Sequence, residues 1–148
     1  MTSIERRGVR SEIGGDPRQR RLEVELKKVI VIDDSHTARQ QVMSTLGGVG
    51  YDVVEAVDGL DGLRKLDEHR DASLVLCDLN MPAMNGLEVL TRLGAERPTD
   101  RPIVLMFTTE MELDLIQQAK QAGAKGWIVK PFKPDLLIAA VRRLVGEA

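Results

Sequence analysis

Residues Leu74 to Pro82, LVLCDLNMP, decide the fold. Four apolar residues, Leu74 to Cys77, run unbroken into a single carboxylate, Asp78, and a Pro-containing turn follows. An apolar run this short, bounded by turn residues, suits a strand buried on both faces, with the aspartate at its C-terminal end. In open parallel sheets ligands sit in the crevice outside the carboxyl ends of the strands. Asp78 is therefore expected on the floor of such a crevice.

Three other stretches repeat the pattern. Val29 to Ile32 runs into Asp33-Asp34, Ile103 to Phe107 into Thr108-Thr109, and Gly126 to Val129 into Lys130-Pro131. In a parallel sheet these polar groups share one edge, so three carboxylates, a hydroxyl and an ammonium converge there. Taken singly, Asp33-Asp34 reads as a loop and helix cap, Thr108-Thr109 as a strand end, and Lys130-Pro131 as a turn. The convergence at four strand ends carries the functional reading.

Outward from these strands the pattern alternates. Asp34-Ser35 is placed to cap a helix carrying Ala38, Val42, Leu46 and Val49 at spacings of three to four, which Gly47-Gly48 and Gly50 end. Asp52 to Ala56 reads as a short strand with polar ends, suited to a sheet edge. Asp58-Gly59 starts a second helix through Leu60, Leu63 and Leu66. Gly86 to Leu93 is a third and Met111 to Ala122 a fourth, which Gly123 ends at a C′ position. Pro134 fits the first turn of a fifth, with Leu137, Ala140, Val141 and Leu144 as its apolar stripe. Five strands alternating with five helices predict a doubly wound α/β domain with its site at the strand ends.

Composition sets the limits. A chain of 148 residues with 43% hydrophobic content is large enough for one domain with a real core, mostly aliphatic because aromatics are only 3%. No apolar run approaches the ~18 residues of a membrane span, and the N-terminus has no signal-peptide apolar region; a cytoplasmic location is expected. The lone cysteine, Cys77, reads as a small buried hydrophobe. Residues 1–27 stand apart. Residues 1–28 carry eight Lys/Arg against five Asp/Glu, while the whole chain has net charge −2. Gly8, Gly14-Gly15 and Pro17 interrupt helix there, and only Arg18 to Lys28 (RQRRLEVELKK) suits a short one. This basic extension reads as a solvated segment, with a partner- or nucleic-acid-touching arm as the second reading. The domain is expected over 28–148.

The chemistry follows from the residue types. Three neighbouring carboxylates repel one another unless a cation neutralises them. An all-oxygen set with few protein donors suits Mg²⁺, and the missing His/Cys cluster argues against zinc. An aspartate beside Mg²⁺ and a lysine is a plausible nucleophile toward phosphorus, giving an aspartyl phosphate. Metal and ammonium would neutralise charge on the transferring group, and the Thr108 hydroxyl is placed to donate to a phosphoryl oxygen. His36, one turn into the first helix, reads as an exposed helix residue rather than a phosphate carrier, and His69 as surface.

With Asp33-Asp34, Asp78, Thr108 and Lys130-Pro131 in place, the chain resembles the receiver domain of bacterial two-component response regulators over residues 28–146. The segments DLNMPAMNGLEVL (Asp78 to Leu90) and AGAKGWIVKPF (Ala122 to Phe132) are most similar to the stand-alone chemotaxis, or CheY-type, regulators. The resemblance implies a flavodoxin-like five-stranded sheet of order 2-1-3-4-5. It implies Asp78 as phosphoacceptor, Mg²⁺ bound by Asp34, Asp78 and the backbone carbonyl of Asn80, and Asp33 acting through water. It implies Thr108 and Lys130 as phosphoryl-contacting switch residues, and Asn80 and Glu110 as the pair that tunes access of hydrolytic water. The Lys130–Pro131 bond is implied to be cis. Trp127 stands where the family places a rotameric Tyr or Phe.

The resemblance further implies a phosphoacceptor signalling protein rather than a conventional enzyme. A histidine kinase would supply the phosphoryl group. The face of the fourth helix, fifth strand and fifth helix would then bind a partner such as the flagellar motor switch, or a phosphatase. With no DNA-binding domain after the fifth helix, output by surface binding is expected. A phosphorelay shuttle or phosphate sink is the alternative within the same class. Two other classes fit less well. A Mg²⁺-dependent phosphatase of the haloacid dehalogenase type wants a second Asp two residues after the nucleophile, where Asn80 stands. A flavodoxin-like electron carrier needs a Ser/Thr/Gly-rich phosphate loop where this chain has DDSHTAR (residues 33–39).

Overall fold

Lys28–Ile32 (β1), Asp52–Ala56 (β2), Leu74–Asp78 (β3), Ile103–Thr108 (β4) and Gly126–Val129 (β5) form one sheet in the computed structural model, which describes residues 27–109 and 113–146. Its order is β2-β1-β3-β4-β5, and every pairing is parallel. Five helices alternate with the strands: His36–Gly47 (α1), Gly59–Glu68 (α2), Gly86–Glu96 (α3), Leu113–Gln121 (α4) and Pro134–Val145 (α5). The described residues thus have the expected doubly wound architecture. Residues 1–26, with most of the expected short helix there, and Glu110 lie outside the described residues.

The strands are Val/Ile/Leu-rich because both faces are covered. One face buries Ile30, Ile32, Val75, Cys77, Val104 and Met106 with Leu66, Leu90 and Leu93. The other buries Val29, Val31, Leu74, Leu76, Leu105 and Phe107 with Val42, Leu46, Leu137 and Val141. Each such side chain contributes roughly 1.5–3 kcal/mol relative to exposure. A charge in place of Leu76, at the centre of the central strand, would be buried without a partner in that second core. β3 is buried along its whole length; β1 pairs with it up to Cys77, and β4 holds Asp78 in register opposite Phe107.

Helix ends follow local chemistry. The Ser35 side chain accepts a hydrogen bond from the Ala38 N–H at 3.2 Å, so Ser35 and not Asp34 is the cap of α1. Asn85 and Glu88 form a reciprocal capping box at α3. Gly123, at φ 113, takes the left-handed conformation after α4 that a side chain would strain. Two expected core positions are exposed instead. Val49 lies past the end of α1 at 39% exposure, because the chain reverses through Gly50 and Tyr51 takes the buried place, its N–H donating to Leu46 O. Leu60 is 59% exposed. Close approach of Gly59 to Met84 and of Gly62 to Ile32 turns the buried stripe of α2 away from it.

Candidate functional site

The site lies where β1, β3 and β4 end. Side chains alternate along a strand, and Asp33 continues the β1 row of Val29 and Val31. Asp78 continues the β3 row of Leu74 and Leu76, so both carboxylates emerge on the face that packs α1 and α5. Asp33 is fully buried. Its Oδ1 accepts from the Ser35 N–H at 2.9 Å and its Oδ2 from Lys130 Nζ at 2.7 Å. Asp78 is 4% exposed, with Oδ2 3.5 Å from the same Nζ and Oδ1 accepting from the Asn80 N–H at 3.3 Å. Asp34 is exposed, yet Asp33, Asp34 and Asp78 each bring a carboxylate oxygen within 4.8 Å of one another.

Burial, and then the negative charge of Asp33, push the Asp78 carboxyl up to about 6 from the usual 3.8, while Lys130 and the Asn80 N–H pull the other way. One ammonium among three carboxylates leaves charge that a divalent cation would neutralise. The donors are all oxygen, and one of the three faces solvent, where the ion would keep its waters. That donor set fits Mg²⁺. Burial pushes the Cys77 thiol up, as suits an inert core residue.

The backbone N–H of Lys130 donates to Thr108 O at 2.7 Å, which ties the end of β5 to that of β4, and the Lys130–Pro131 bond is cis. Thr108 is fully buried and, with Trp127, lines a crevice toward α4 shared with Met106, Ile116 and Ala119. Half-buried Trp127 carries Lys120 of α4 over its ring, 4.5 Å from the centroid. A Cβ at Gly86 would collide with the backbone carbonyl of Asp78, so a glycine lets α3 start tight against the strand end. His36 is exposed and His69 half-buried, with its Nδ1 3.1 Å from Lys28 Nζ.

Among the described residues, the structure therefore brings together Asp33, Asp34, Asp78, Asn80 and Lys130, with Thr108 and Trp127 on the opposite face of the same edge. Two neighbours of the site were not singled out from sequence. Arg39, 8% exposed, donates to Asp33 O at 2.7 Å and to Glu55 at 2.9 Å. Its signal was a lone charge on a helix otherwise without any. Phe107 lies beneath Lys130, with Nζ 4.7 Å from its ring centroid.

Carboxylates, ammonium and hydroxyl at the carboxyl edge of a 2-1-3-4-5 parallel sheet define a receiver-type α/β domain. Residues 29–142 match the response regulator receiver domain family, to which the chain belongs. Among relatives, it is 37% identical over 120 residues to a Helicobacter pylori chemotaxis protein, CheY1, covering 80% of this chain and 97% of that protein. It is 36% identical to the Campylobacter jejuni CheY homolog, covering 80% and 92% of the two chains. The crystal structure of Vibrio cholerae chemotaxis protein CheY4 superposes with a TM-score of 0.75 at 37% identity, over 80% of this chain and 98% of that one.

Proposed function

We propose that the chain is a phosphorylation switch of a chemotaxis-type two-component system, acting in the cytoplasm, with Asp78 as the phosphoacceptor. The observation that carries this reading is the position of Asp78: a nearly buried carboxylate, paired with Lys130, at the end of the central strand. An Asp78 carboxylate oxygen attacks phosphorus of a phosphohistidine on a histidine kinase. The P–N bond breaks, the imidazole leaves with its electron pair, and the new P–O bond makes an aspartyl phosphate. With its carboxyl near 6, Asp78 is mostly ionised at neutral pH and ready to attack. Lys130, already shared between Asp33 and Asp78, neutralises the phosphoryl oxygens as they arrive. Asp34, Asp78 and the Asn80 carbonyl would hold Mg²⁺, with Asp33 acting through water, and the ion would supply further neutralisation of the phosphoryl charge. Asn80 and Glu110 tune access of the water that later hydrolyses the acyl phosphate.

Thr108 and Trp127 relay the phosphorylated state to the face formed by α4, β5 and α5. That face exposes Val129 (39%) and Leu136 (57%), apolar surface suited to a protein partner such as the flagellar motor switch. Residues 1–27 act as a separate basic extension. The test is phosphorylation by acetyl phosphate in Mg²⁺, followed by mass spectrometry. Wild type is expected to gain one phosphoryl group and Asp78→Asn none. A phosphoprotein in that variant, on Asp33 or Asp34 for instance, would move the nucleophile elsewhere.

A further inference from the structure

Lys130 leaves the end of β5, and its partner Asp33 follows β1. In the order β1-β3-β4-β5 the two residues are three strand spacings apart, so the Lys130 side chain passes over β4 while Asp33 reaches in over β3 to meet it. With strands ~4.8 Å apart the gap is ~14 Å, of which an extended lysine covers a little under half. What it passes over on β4 is Phe107. This residue stands in register with Asp78 on one side and Ile128 on the other, and alternation points it to the same face as both. Its ring is fully buried, and Phe132 packs against it at 5.7 Å between centroids, tilted by 50°. Lys130 Nζ lies 4.7 Å from the Phe107 centroid, and the Lys130 side chain is 14% exposed.

An aliphatic residue at this position would fill the same core. An aromatic ring also offers the ammonium an attractive face that makes no hydrogen bond. The difference matters because Lys130 has two competing carboxylates. Asp33 holds the ammonium at 2.7 Å, while Asp78 is at 3.5 Å. Left to those two alone, the ammonium is drawn onto Asp33, toward β1 and away from the reacting oxygen. The ring on β4 pulls in the opposite direction. It also leaves the N–H groups free to turn to a phosphoryl oxygen.

We propose that Phe107 is a positioning residue, whose ring holds the Lys130 ammonium on the β3–β4 side of the cleft, within reach of the group transferred to Asp78. This inference rests on the phosphoacceptor reading above. In the test reaction an Asp78 oxygen bonds to phosphorus, the P–O bond to acetyl breaks, and acetate leaves with the electron pair. Because the ammonium acts on charge that develops during transfer, loss of the ring lowers the limiting rate and leaves the acetyl phosphate KM unchanged.

Mono-, di- and trifluorinated phenylalanines placed site-specifically at Phe107 keep size and burial while progressively removing the negative face of the ring. In the full-length chain with saturating Mg²⁺, the limiting rate of Asp78 phosphorylation is expected to fall stepwise with fluorine count. The total fall should be about three- to tenfold, matched by Phe107→Leu, with KM held. The Lys130 side-chain proton resonances, shifted by the ring current in the wild type, should relax toward ordinary values in Phe107→Leu. A rate that stays flat across the fluorinated series overturns the inference, even if Phe107→Leu is slow, because packing alone would then be at work. Unshifted Lys130 resonances in the wild type overturn the geometry beneath it. A wild type that gains no phosphoryl group at Asp78 overturns the phosphoacceptor reading, and is recognisable because the unaltered chain fails.

Discussion

Replacing Asp78 with Asn should make the metal-free protein more stable, and the size of the effect can be worked from its surroundings. Burial and the Asp33 charge hold the Asp78 carboxyl at about 6 in the folded chain, against 3.8 when free. The folded state therefore binds that proton more tightly than the unfolded state does. Ionising Asp78 adds nothing unfavourable below about pH 4, adds progressively more between about 4 and 6, and its full penalty applies above 6. The gap corresponds to ~3 kcal/mol at neutral pH. The value of about 6 already includes the opposing pull of Lys130 at 3.5 Å, so the remaining correction is for a cleft that opens to solvent. Roughly 1–2 kcal/mol of gain survives that screening. For a domain of this size that is a Tm rise of about 3–8 °C. Thermal melts of wild type and Asp78→Asn in EDTA should therefore coincide near pH 4 and separate by that amount near pH 8. Added Mg²⁺ should close the gap by stabilising the wild type alone. An Asp78→Asn protein that melts at or below wild type at pH 8 in EDTA would refute the reasoning. The Lys130 pairing would then outweigh the burial of the carboxylate.

Asp34→Asn removes an exposed charge that does not cap α1, so it should raise the metal-free Tm by about 1–3 °C and abolish the rise produced by Mg²⁺. A lower melt in EDTA would show that Asp34 supports the helix start. Gly86→Ala drives a methyl into the Asp78 carbonyl and the Met106 side chain, and urea denaturation should register a loss of roughly 1–3 kcal/mol. An unchanged midpoint would mean that α3 does not approach the strand end so closely. Deleting residues 1–24 should leave both Tm and phosphorylation by acetyl phosphate unchanged; a loss of several degrees would mean that Leu22, Val24 and Leu26 pack on the domain.

What the sequence makes legible here is what period and punctuation encode. Asp33, Asp78 and Lys130 each terminate an apolar run, and a parallel sheet turns run ends into neighbours, so their meeting is readable without coordinates. The helix stripes are readable only up to a rotation. Leu60 and Leu66 both fit one apolar stripe, and glycine contacts with Met84 and Ile32 decide that only Leu66 is buried. Asp34 and Ser35 are equally good caps by type, and only the backbone turn selects Ser35. Phe107 is the hardest case. In sequence it is one more core residue, and its nearness to an ammonium depends on a side chain reaching back from β5 across the sheet.

The step from phosphoryl group to surface is an energetic problem before it is a structural one. Moving a two-state equilibrium from 1:99 to 99:1 requires ~5.5 kcal/mol of differential interaction. A hydrogen bond from the Thr108 hydroxyl to a charged phosphoryl oxygen supplies roughly 1.5–3 kcal/mol. In the proposed switch Trp127, held at half-burial under Lys120, would also have to give up a contact worth about 1 kcal/mol to change its position. In that switch Thr108 alone therefore cannot complete the transition, and interactions at Lys130 and a bound Mg²⁺ would have to provide the balance. The Thr108 contribution to the proposed switch would be directional: Thr108 and Trp127 line one crevice too narrow for water, so a hydroxyl drawn toward Asp78 would open space beside the indole. Packed interiors rearrange in such discrete steps. As the only tryptophan in the chain, Trp127 is expected to report such a change in its fluorescence. With Mg²⁺ and the phosphoryl mimic beryllofluoride, wild-type fluorescence should change on binding. In Thr108→Ala the mimic should still bind, held by Asp78, Lys130 and the metal, while the Trp127 response and partner affinity shrink together. A Thr108→Ala protein that binds the mimic, keeps the full Trp127 response and retains its partner would remove Thr108 from the coupling and leave Lys130 to carry it.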